Sequence, residues 1–247
     1  MLTMEKMHLL LTRADGSSES PSAHGPALAA AALQDLAEAG VVRLEESRDP
    51  AQARVIVVAG GTAGHPVLDA LLPAVDKAAN TPLHKLVAAG TPKARKAVEA
   101  HLTEQGLLRR EKSLLSTTHL PASTTARHEI RERLAAVLTG GAEATEADEL
   151  LLAALGELNL APTLLAGAGR EQGRRELVRG IAAKTQSNPY AVALGASVRS
   201  LSGALSAAAL PSAEDAAREE HERAAEAEVP EHRASTQDPH GSSPRTA

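Results

Sequence analysis

The stretch LAEAGVVRLEE, at Leu36–Glu46, decides the fold, because it returns later in the chain as LTEQGLLRREK, at Leu102–Lys112. Both copies have the pattern Leu-x-Glu-x-Gly, followed by two aliphatic residues and an arginine. Glycine adopts the left-handed conformation that closes a helix more easily than any other residue. The pattern therefore predicts, twice, a helix that ends at a glycine (Gly40 or Gly106) and a strand that packs back on that helix.

The first copy extends into recognisable elements on both sides. Pro26 is placed to begin a helix over Ala27–Gly40, since proline suits the first helical position. The segment VVRLEESRDPAQARVIVVAGG, at Val41–Gly61, contains two β-rich runs around a polar turn. This region is thus predicted to be a helix followed by a β-hairpin.

The second copy has the same plan. Thr91 is the expected N-cap of its helix, and Pro92 is the expected first helical residue. The apolar periodicity of this helix puts Leu102 on the buried face and Glu99 on the exposed face. The segment that follows, as far as Pro121, predicts a second and shorter hairpin.

The remainder of the chain predicts a mainly helical protein. Apolar periodicity and helix-ending residues indicate five more helices. They are Glu5–Thr12, Thr125–Thr139, Glu146–Leu158, Arg170–Lys184 and Pro189–Leu210. Thr145 is the expected N-cap of the third, and the segment between Thr12 and Gly25 is predicted to be a loop.

Composition limits both the core and the possible chemistry. Hydrophobic residues make up 43% of the 247 positions, which suits one sizeable domain, but Tyr190 is the only aromatic residue, so the core must be aliphatic. The absence of cysteine excludes disulfides, thiolate metal sites and a cysteine nucleophile, and it is compatible with a cytoplasmic location. No segment approaches the about 20 uninterrupted apolar residues of a membrane span, and the N-terminal apolar run is too short for a signal peptide.

Charge divides the chain into a body and a tail. Residues 211–247 contain nine Asp or Glu and four Arg, with almost no large aliphatic residues, and they predict a disordered acidic tail. The whole chain has 31 acidic and 26 basic residues, so residues 1–210 retain 31 − 9 = 22 acidic and 26 − 4 = 22 basic residues. A neutral body of this kind makes nucleic acid an unexpected partner.

No motif for catalysis, cofactor binding or metal binding is complete. The strand, Gly-rich turn and helix at Val55–Leu71 have the local context of a phosphate loop but lack its Lys-Ser/Thr and its series of βα units. The histidines of the body occur singly, without the paired spacing of a metal-binding helix. His119 follows Ser116, Thr117 and Thr118, but a triad depends on geometry, not on crowding. The sequence therefore predicts a protein that is not an enzyme, with no cofactor, no metal and no catalytic residue.

Basic clusters are the remaining candidates for a binding site. Lys93, Arg95 and Lys96 lie in the first turns of the second repeated helix, where free backbone N–H groups already favour an anion. Further clusters comprise Arg109, Arg110 and Lys112, and Arg170, Arg174, Arg175 and Arg179. Each cluster is also compatible with a solvated face whose charges pair with neighbouring glutamates.

Three segments together resemble the Golgi phosphoprotein 3 (GPP34) family in its bacterial, actinobacterial type. They are TAGHPVLDALL (Thr62–Leu72), KARKAVEAHLTEQGLLRREKSLLSTTHLP (Lys93–Pro121) and ADELLLAALGELNL (Ala147–Leu160). The similarity covers roughly Met7 to Leu210 and follows the same order of elements. The Ala- and Arg-rich, Lys-poor composition is typical of proteins from GC-rich bacteria.

The resemblance implies an all-α (mainly α) domain over residues 1–210, with a helical bundle core wrapped by amphipathic helices and small β-hairpins at the edge. It also implies a non-enzymatic, cytoplasmic protein that binds peripherally to the cytosolic face of a membrane. Eukaryotic members bind phosphatidylinositol 4-phosphate and act as adaptors for client proteins. Self-association in the family uses a hairpin that corresponds to Arg109–Pro121.

The family's lipid pocket maps onto this chain at a few positions. Of two arginines one helical turn apart, one matches Arg95 and the other falls on Pro92. A third falls on about Ala29, and the pocket tryptophan has no counterpart because the chain contains no Trp. We therefore expect an anionic phospholipid head group to bind at Lys93, Arg95 and Lys96.

Two alternatives remain at this stage. A helix followed by a hairpin is also typical of a winged-helix protein that binds nucleic acid. A purely structural module that binds an unknown protein client would need no anion site. The neutral charge of residues 1–210 disfavours the first alternative, and sequence pattern alone does not separate the second from lipid binding.

Overall fold

The structure is a computed structural model. It describes residues 1–91, 93–112 and 117–209, without the side chains of residues 167–175 and 204–209. The predicted tail at residues 211–247 lies outside these ranges, so the predicted domain boundary at residue 210 stays a prediction. Residues 1–203 form one compact unit.

The described part of the chain is mainly helical, as predicted, with two small antiparallel sheets. The helices are α1 (Thr3–Leu11), α2 (Pro21–Glu38), α3 (Pro66–Lys77), α4 (Leu83–Ala89), α5 (Ala94–Glu104), α6 (Thr125–Leu138), α7 (Glu146–Glu157), α8 (Ala161–Leu164), α9 (Ala166–Thr185) and α10 (Pro189–Ala209). The strands are β1 (Val42–Leu44), β2 (Val55–Val57), β3 (Leu108–Lys112) and β4 (Thr117–Pro121).

Helix α2 is the centre of the core. Every residue from Ala27 to Leu33 is at most 1% exposed, and Leu36 is fully buried. A helix that is apolar on all sides needs neighbours on all sides, and α2 contacts α1, α3, α4, α5, α7 and β1. Because five of these residues are alanines, the surrounding helices approach closely without large side chains between them.

Asp35 on α2 fixes the start of α1. Its two carboxylate oxygens accept hydrogen bonds from the backbone N–H groups of Thr3 (2.8 Å) and Met4 (2.9 Å). The first N–H groups of a helix have no partner within the helix, so this buried carboxylate supplies one from elsewhere in the chain. Burial raises the pKa of Asp35 to about 6, although these hydrogen bonds act in the opposite direction.

Both predicted hairpins are present. β1 pairs with β2 in the register Val42 with Val57, and β3 pairs with β4 in the register Leu108 with Pro121. Gly40 and Gly106, which follow α2 and α5, have φ angles of 72° and 72°, so each supplies the predicted left-handed stop. The tip of the second hairpin, residues 113–116, lies outside the described ranges, and self-association through it stays a prediction.

The start of α2 differs from the prediction. The helix begins at Pro21, not at Pro26, so Pro26 lies inside it and the predicted loop is shorter. Pro21 occupies the first helical position, which suits proline, and the Ser20 carbonyl accepts a hydrogen bond from the His24 N–H at 2.9 Å. Pro26 lacks an N–H for the carbonyl four residues earlier, a loss that a helix tolerates near its N-terminus.

The start of α5 also differs. Lys93, not Thr91, is the N-cap, and the helix begins at Ala94. Gly90 and Lys93 both adopt left-handed conformations, with φ angles of 68° and 66°. Two such residues turn the chain sharply between α4 and α5, so the helix begins later in the sequence than predicted. Pro92 itself lies outside the described residues.

Other predicted details are confirmed. Thr145 caps α7, because its hydroxyl accepts from the Asp148 N–H (3.2 Å) while Asp148 accepts from the Thr145 N–H (3.0 Å). Leu177 and Ile181 lie on the buried face of α9, and Leu102 on that of α5. No helix in the described ranges is both long enough and apolar enough to cross a membrane.

Replacing Leu102 with alanine should lower the free energy of unfolding by about 2–5 kcal/mol, because the fully buried side chain would leave a cavity in a core without large neighbours to fill it. Glu104→Ala, on the same helix with a side chain that is 77% exposed, is the matched control and should change it by less than about 0.5 kcal/mol. Urea denaturation measures both. Equal losses in the two variants would contradict the assigned buried face of α5.

Candidate functional site

The three predicted basic residues lie together at the start of α5. Lys93 is the N-cap, Arg95 and Lys96 follow in the first turn, and all three side chains are exposed. No side chain caps this helix end. The positive end of the helix dipole therefore coincides with three mobile cationic groups, an arrangement that favours an anion.

A close backbone contact holds this end of α5 against α2. A β-carbon added at Gly90 would lie 3.7 Å from the carbonyl carbon of Gly25, so the two backbones are near contact distance. The connection from α4 to α5 therefore passes directly over the first turns of α2. This contact places the residues just before Lys93 against the backbone of α2.

Glu99 neutralises part of the charge at this site. Arg95 Nε lies 2.7 Å from Glu99 Oε1, one helical turn away. Within the described residues, Lys93 and Lys96 form no ion pair. An anion at this site would therefore meet the charges of Lys93 and Lys96, unpaired within the described part of the chain, and the partly neutralised charge of Arg95.

The prediction that Glu99 lies on the exposed face is wrong. Its side chain is only 14% exposed, and its second oxygen lies 3.3 Å from His119 Nδ1 on β4. Its first oxygen also lies 4.0 Å from His8 Nε2 on α1. Glu99 therefore faces β4 and α1. Helical periodicity could not predict this, because the position of these elements depends on tertiary packing.

A buried histidine pair lies behind Glu99. His8 Nδ1 and His24 Nε2 are 3.2 Å apart, and Ser18 Oγ lies 2.7 Å from His24 Nδ1. Burial is the main reason that the pKa of His8 falls to about 3 and that of His24 to about 4, and the Arg95 guanidinium lowers both further. Both rings are therefore neutral near pH 7 and add no positive charge to the site.

The serine and histidine distances alone do not indicate catalysis. Ser18 and His24 have the separation of a nucleophile and a base, but both side chains are buried, at 8% and 2% exposure. His119 Nδ1 lies 3.3 Å from Glu99 Oε2, and Ser116, one of the hydroxyl residues beside His119 in sequence, lies outside the described residues. Ser18, His24 and His8 instead form a buried hydrogen-bonded chain that connects the segment before α2, α2 and α1.

The other basic clusters are more dispersed. Arg109 and Arg110 extend along the exposed strand β3 with Lys112, and Arg109 pairs with Glu111 at 3.4 Å. Arg179 is exposed on α9. The side chains of Arg170, Arg174 and Arg175 lie outside the described residues.

A separate group of side chains has the composition of a metal site. Glu5 on α1, His65 at the N-cap of α3 and His101 on α5 each offer one ligand atom, and these atoms lie within 4.8 Å of one another. The prediction of no metal site considered only the spacing of histidines in sequence. Residues this far apart in the chain meet only through folding, so spacing could not detect them.

Acidification should destabilise the protein through the histidine pair. The folded-state pKa values of His8 and His24, about 3 and about 4, lie below the ordinary value of 6.5, so the unfolded chain binds protons first. The stabilising effect of the neutral rings is complete above pH 6.5 and is lost as the pH falls toward 4. At pH 5 each ring should cost about 2 kcal/mol relative to pH 7, as measured by urea denaturation.

The double variant His8→Gln, His24→Gln provides the control for this effect. Asp35 acts in the opposite direction, because its raised pKa of about 6 makes the folded state bind a proton in the same range, which offsets about 1 kcal/mol at pH 5. The double variant should therefore keep its stability, or gain slightly, between pH 7 and 5. A fall as large as that of the unmodified protein would contradict the assignment.

Comparison with known families identifies the fold. A family model described as Golgi phosphoprotein 3 (GPP34) matches residues 4–201. No curated protein matches the chain. The matched range includes both helix–hairpin units, the start of α5 and the network behind it, which disfavours a separate winged-helix segment. Because this match covers most of the sequence, the chain belongs to the Golgi phosphoprotein 3 (GPP34) family.

Proposed function

We propose that this protein binds the anionic head group of a phospholipid, of the phosphoinositide type, through the start of α5. The observation that carries the proposal is the coincidence of Lys93, Arg95 and Lys96, all exposed, with a helix N-terminus that no side chain caps. A phosphate at this position meets the positive end of the helix dipole and three cationic side chains at once. Membership of a non-enzymatic family that binds lipids and proteins supports this function.

The geometry favours attachment by charge over enclosure in a pocket. Ala29, at the position of a family pocket arginine, is fully buried in α2 and supplies no cation. The chain also has no tryptophan to lie against a head group. Each basic residue near an anionic surface contributes about 1 kcal/mol, so three residues give weak, salt-sensitive binding.

The proposed location follows from the same surface. The protein acts in the cytoplasm and attaches peripherally to the cytosolic face of a membrane, where anionic lipids are concentrated. We infer a bacterial-type member of the family from the Ala- and Arg-rich composition. As an adaptor, the protein would bind the lipid to reach the membrane and would bind a client protein to hold it there.

Neutralising the start of α5 should remove most of the membrane binding. The triple variant Lys93→Gln, Arg95→Gln, Lys96→Gln should lower the partition coefficient by about 100-fold, because it removes about 3 kcal/mol of attraction to the surface. Co-sedimentation with phosphatidylcholine vesicles, with and without phosphatidylinositol 4-phosphate or phosphatidylserine, measures this change. Binding of the unmodified protein should also fall as ionic strength rises from about 0.05 to 0.5 M, because salt screens exposed charges.

The matched control removes three exposed charges elsewhere. Arg109→Gln, Arg110→Gln, Lys112→Gln on β3 makes the same change in net charge and should have a much smaller effect. A larger loss in this control would place the contact on the second hairpin. Duplex DNA should not compete with the vesicles. No binding to any anionic vesicle at low salt would refute the lipid proposal and leave a protein partner as the function.

A further inference from the structure

We propose that Glu5, His65 and His101 bind a divalent transition-metal ion such as Zn²⁺. The three residues belong to α1, the N-cap of α3 and α5, and they meet where these elements pack together. Glu5 Oε1 lies 3.3 Å from His101 Nε2 and 3.8 Å from His65 Nε2. Two imidazole nitrogens and one carboxylate oxygen form a donor set that suits first-row metals, Zn²⁺ among them.

An unpaired oxygen provides independent support for a ligand. The Glu5 side chain is 5% exposed, and its Oε1 atom is buried without any hydrogen-bond partner. His101 Nε2 is close to this atom but forms no hydrogen bond with it. A buried carboxylate oxygen without a partner is costly, and a cation between it and the two rings would satisfy it.

The carboxylate is held in place by its other oxygen. Glu5 Oε2 accepts a hydrogen bond from the Leu2 N–H at 2.9 Å, so it helps to cap α1. Oε1 is consequently directed toward the histidines without a rotamer change. His101 is on a helix and His65 starts one, so all three donors are fixed by regular elements.

One of the donor distances already equals that of a tetrahedral site. Bonds of about 2.0–2.1 Å to nitrogen or oxygen place neighbouring ligand atoms of a tetrahedron about 3.3 Å apart. The separation of Glu5 Oε1 and His101 Nε2 has this value, that of Glu5 Oε1 and His65 Nε2 is 3.8 Å, and all three donor atoms lie within 4.8 Å of one another. The rings of His65 and His101 meet edge to face, with centroids 4.8 Å apart, so the His65 ring has to move for both rings to bind one ion.

The fourth position of the ion would open into a cavity. A cavity of about 370 Å³ borders Glu5, His65 and His101, and Gln105 contributes a polar side chain to its wall. This volume holds water or a small anion as the fourth ligand. Three protein ligands with one open position define a site that exchanges its outer ligand, unlike a closed structural site.

The ring contacts outside the cluster set the expected affinity. Glu104 Oε2 lies 4.0 Å from His101 Nδ1, beyond hydrogen-bonding distance, so this exposed carboxylate does not fix the tautomer of the ring. His65 Nδ1 instead accepts a long hydrogen bond of 3.3 Å from the Val67 N–H. Binding through His65 Nε2 gives up this bond, because Nδ1 must then carry the proton, so the ion should bind with moderate affinity.

The test uses the full-length chain without a polyhistidine tag. His221, His232 and His240 are replaced by glutamine in every sample, because they offer donors unrelated to the cluster. Co²⁺ serves as the spectroscopic probe, since its visible absorption distinguishes tetrahedral from octahedral ligation. We expect one equivalent of Co²⁺ with tetrahedral bands, displaced by Zn²⁺ but not by Mg²⁺.

Single substitutions separate this site from other histidines. Glu5→Gln keeps an oxygen for the Leu2 N–H and removes the ligand charge, and His101→Gln removes a nitrogen donor. Each should weaken Co²⁺ binding by more than about 100-fold, beyond the effect of a typical outer-shell change. His128→Gln, which alters an exposed histidine on α6, should leave binding unchanged.

Thermal unfolding with and without Zn²⁺ gives a second measurement. Zn²⁺ should raise the unfolding temperature of the background protein and of His128→Gln, but not of Glu5→Gln. Circular dichroism confirms that each variant is folded. Absence of stoichiometric Co²⁺ binding, or equal binding in Glu5→Gln and His128→Gln, would overturn the proposal and leave the cluster as a metal-free contact between helices.

Discussion

The burial of α2 on every side is the constraint on which the rest of the structure depends. Its run of alanines lets α1, α3, α4 and α5 approach closely, in a core without phenylalanine or tryptophan. Close approach also brings polar groups from distant segments within hydrogen-bonding distance. Asp35 reaches the start of α1, and His24 reaches His8, only because these helices are in near contact.

The polar groups inside this aliphatic core are of two kinds. The buried histidine pair is neutral near pH 7, whereas Asp35 is a buried carboxylate held by two backbone N–H groups. Glu99, at the edge of the core, pairs with the exposed Arg95. Lys93 and Lys96 extend outward from the same helix end. Glu99 therefore lowers the positive field at the start of α5, and the proposed anion binding relies mainly on the exposed Lys93 and Lys96.

Local pattern predicted the elements better than it predicted their starts or their contacts. The Leu-x-Glu-x-Gly repeat identified both helix ends and both hairpins, because a glycine stop and an aliphatic strand are local features. The predicted starts of α2 and α5 were wrong. For α2, the chain offers two prolines that could begin a helix, and the earlier one does so; for α5, left-handed residues at Gly90 and Lys93 move the start to Ala94. The sequence also placed Lys93, Arg95 and Lys96 at the start of α5, where they are exposed, and their binding to an anion stays a prediction. The role of Glu99 and the meeting of Glu5 with His65 and His101 arise from tertiary packing, which periodicity does not encode.

The left-handed conformation of Lys93 has a consequence for how this surface can change. A residue with a β-carbon at a φ angle of 66° is less stable there than glycine would be, by about 1–2 kcal/mol. Lysine at this position therefore exchanges folding stability for a charge at the helix end. Selection for thermal stability alone would favour glycine and remove one cation from the proposed anion site, so stability and the proposed binding oppose each other at a single backbone position.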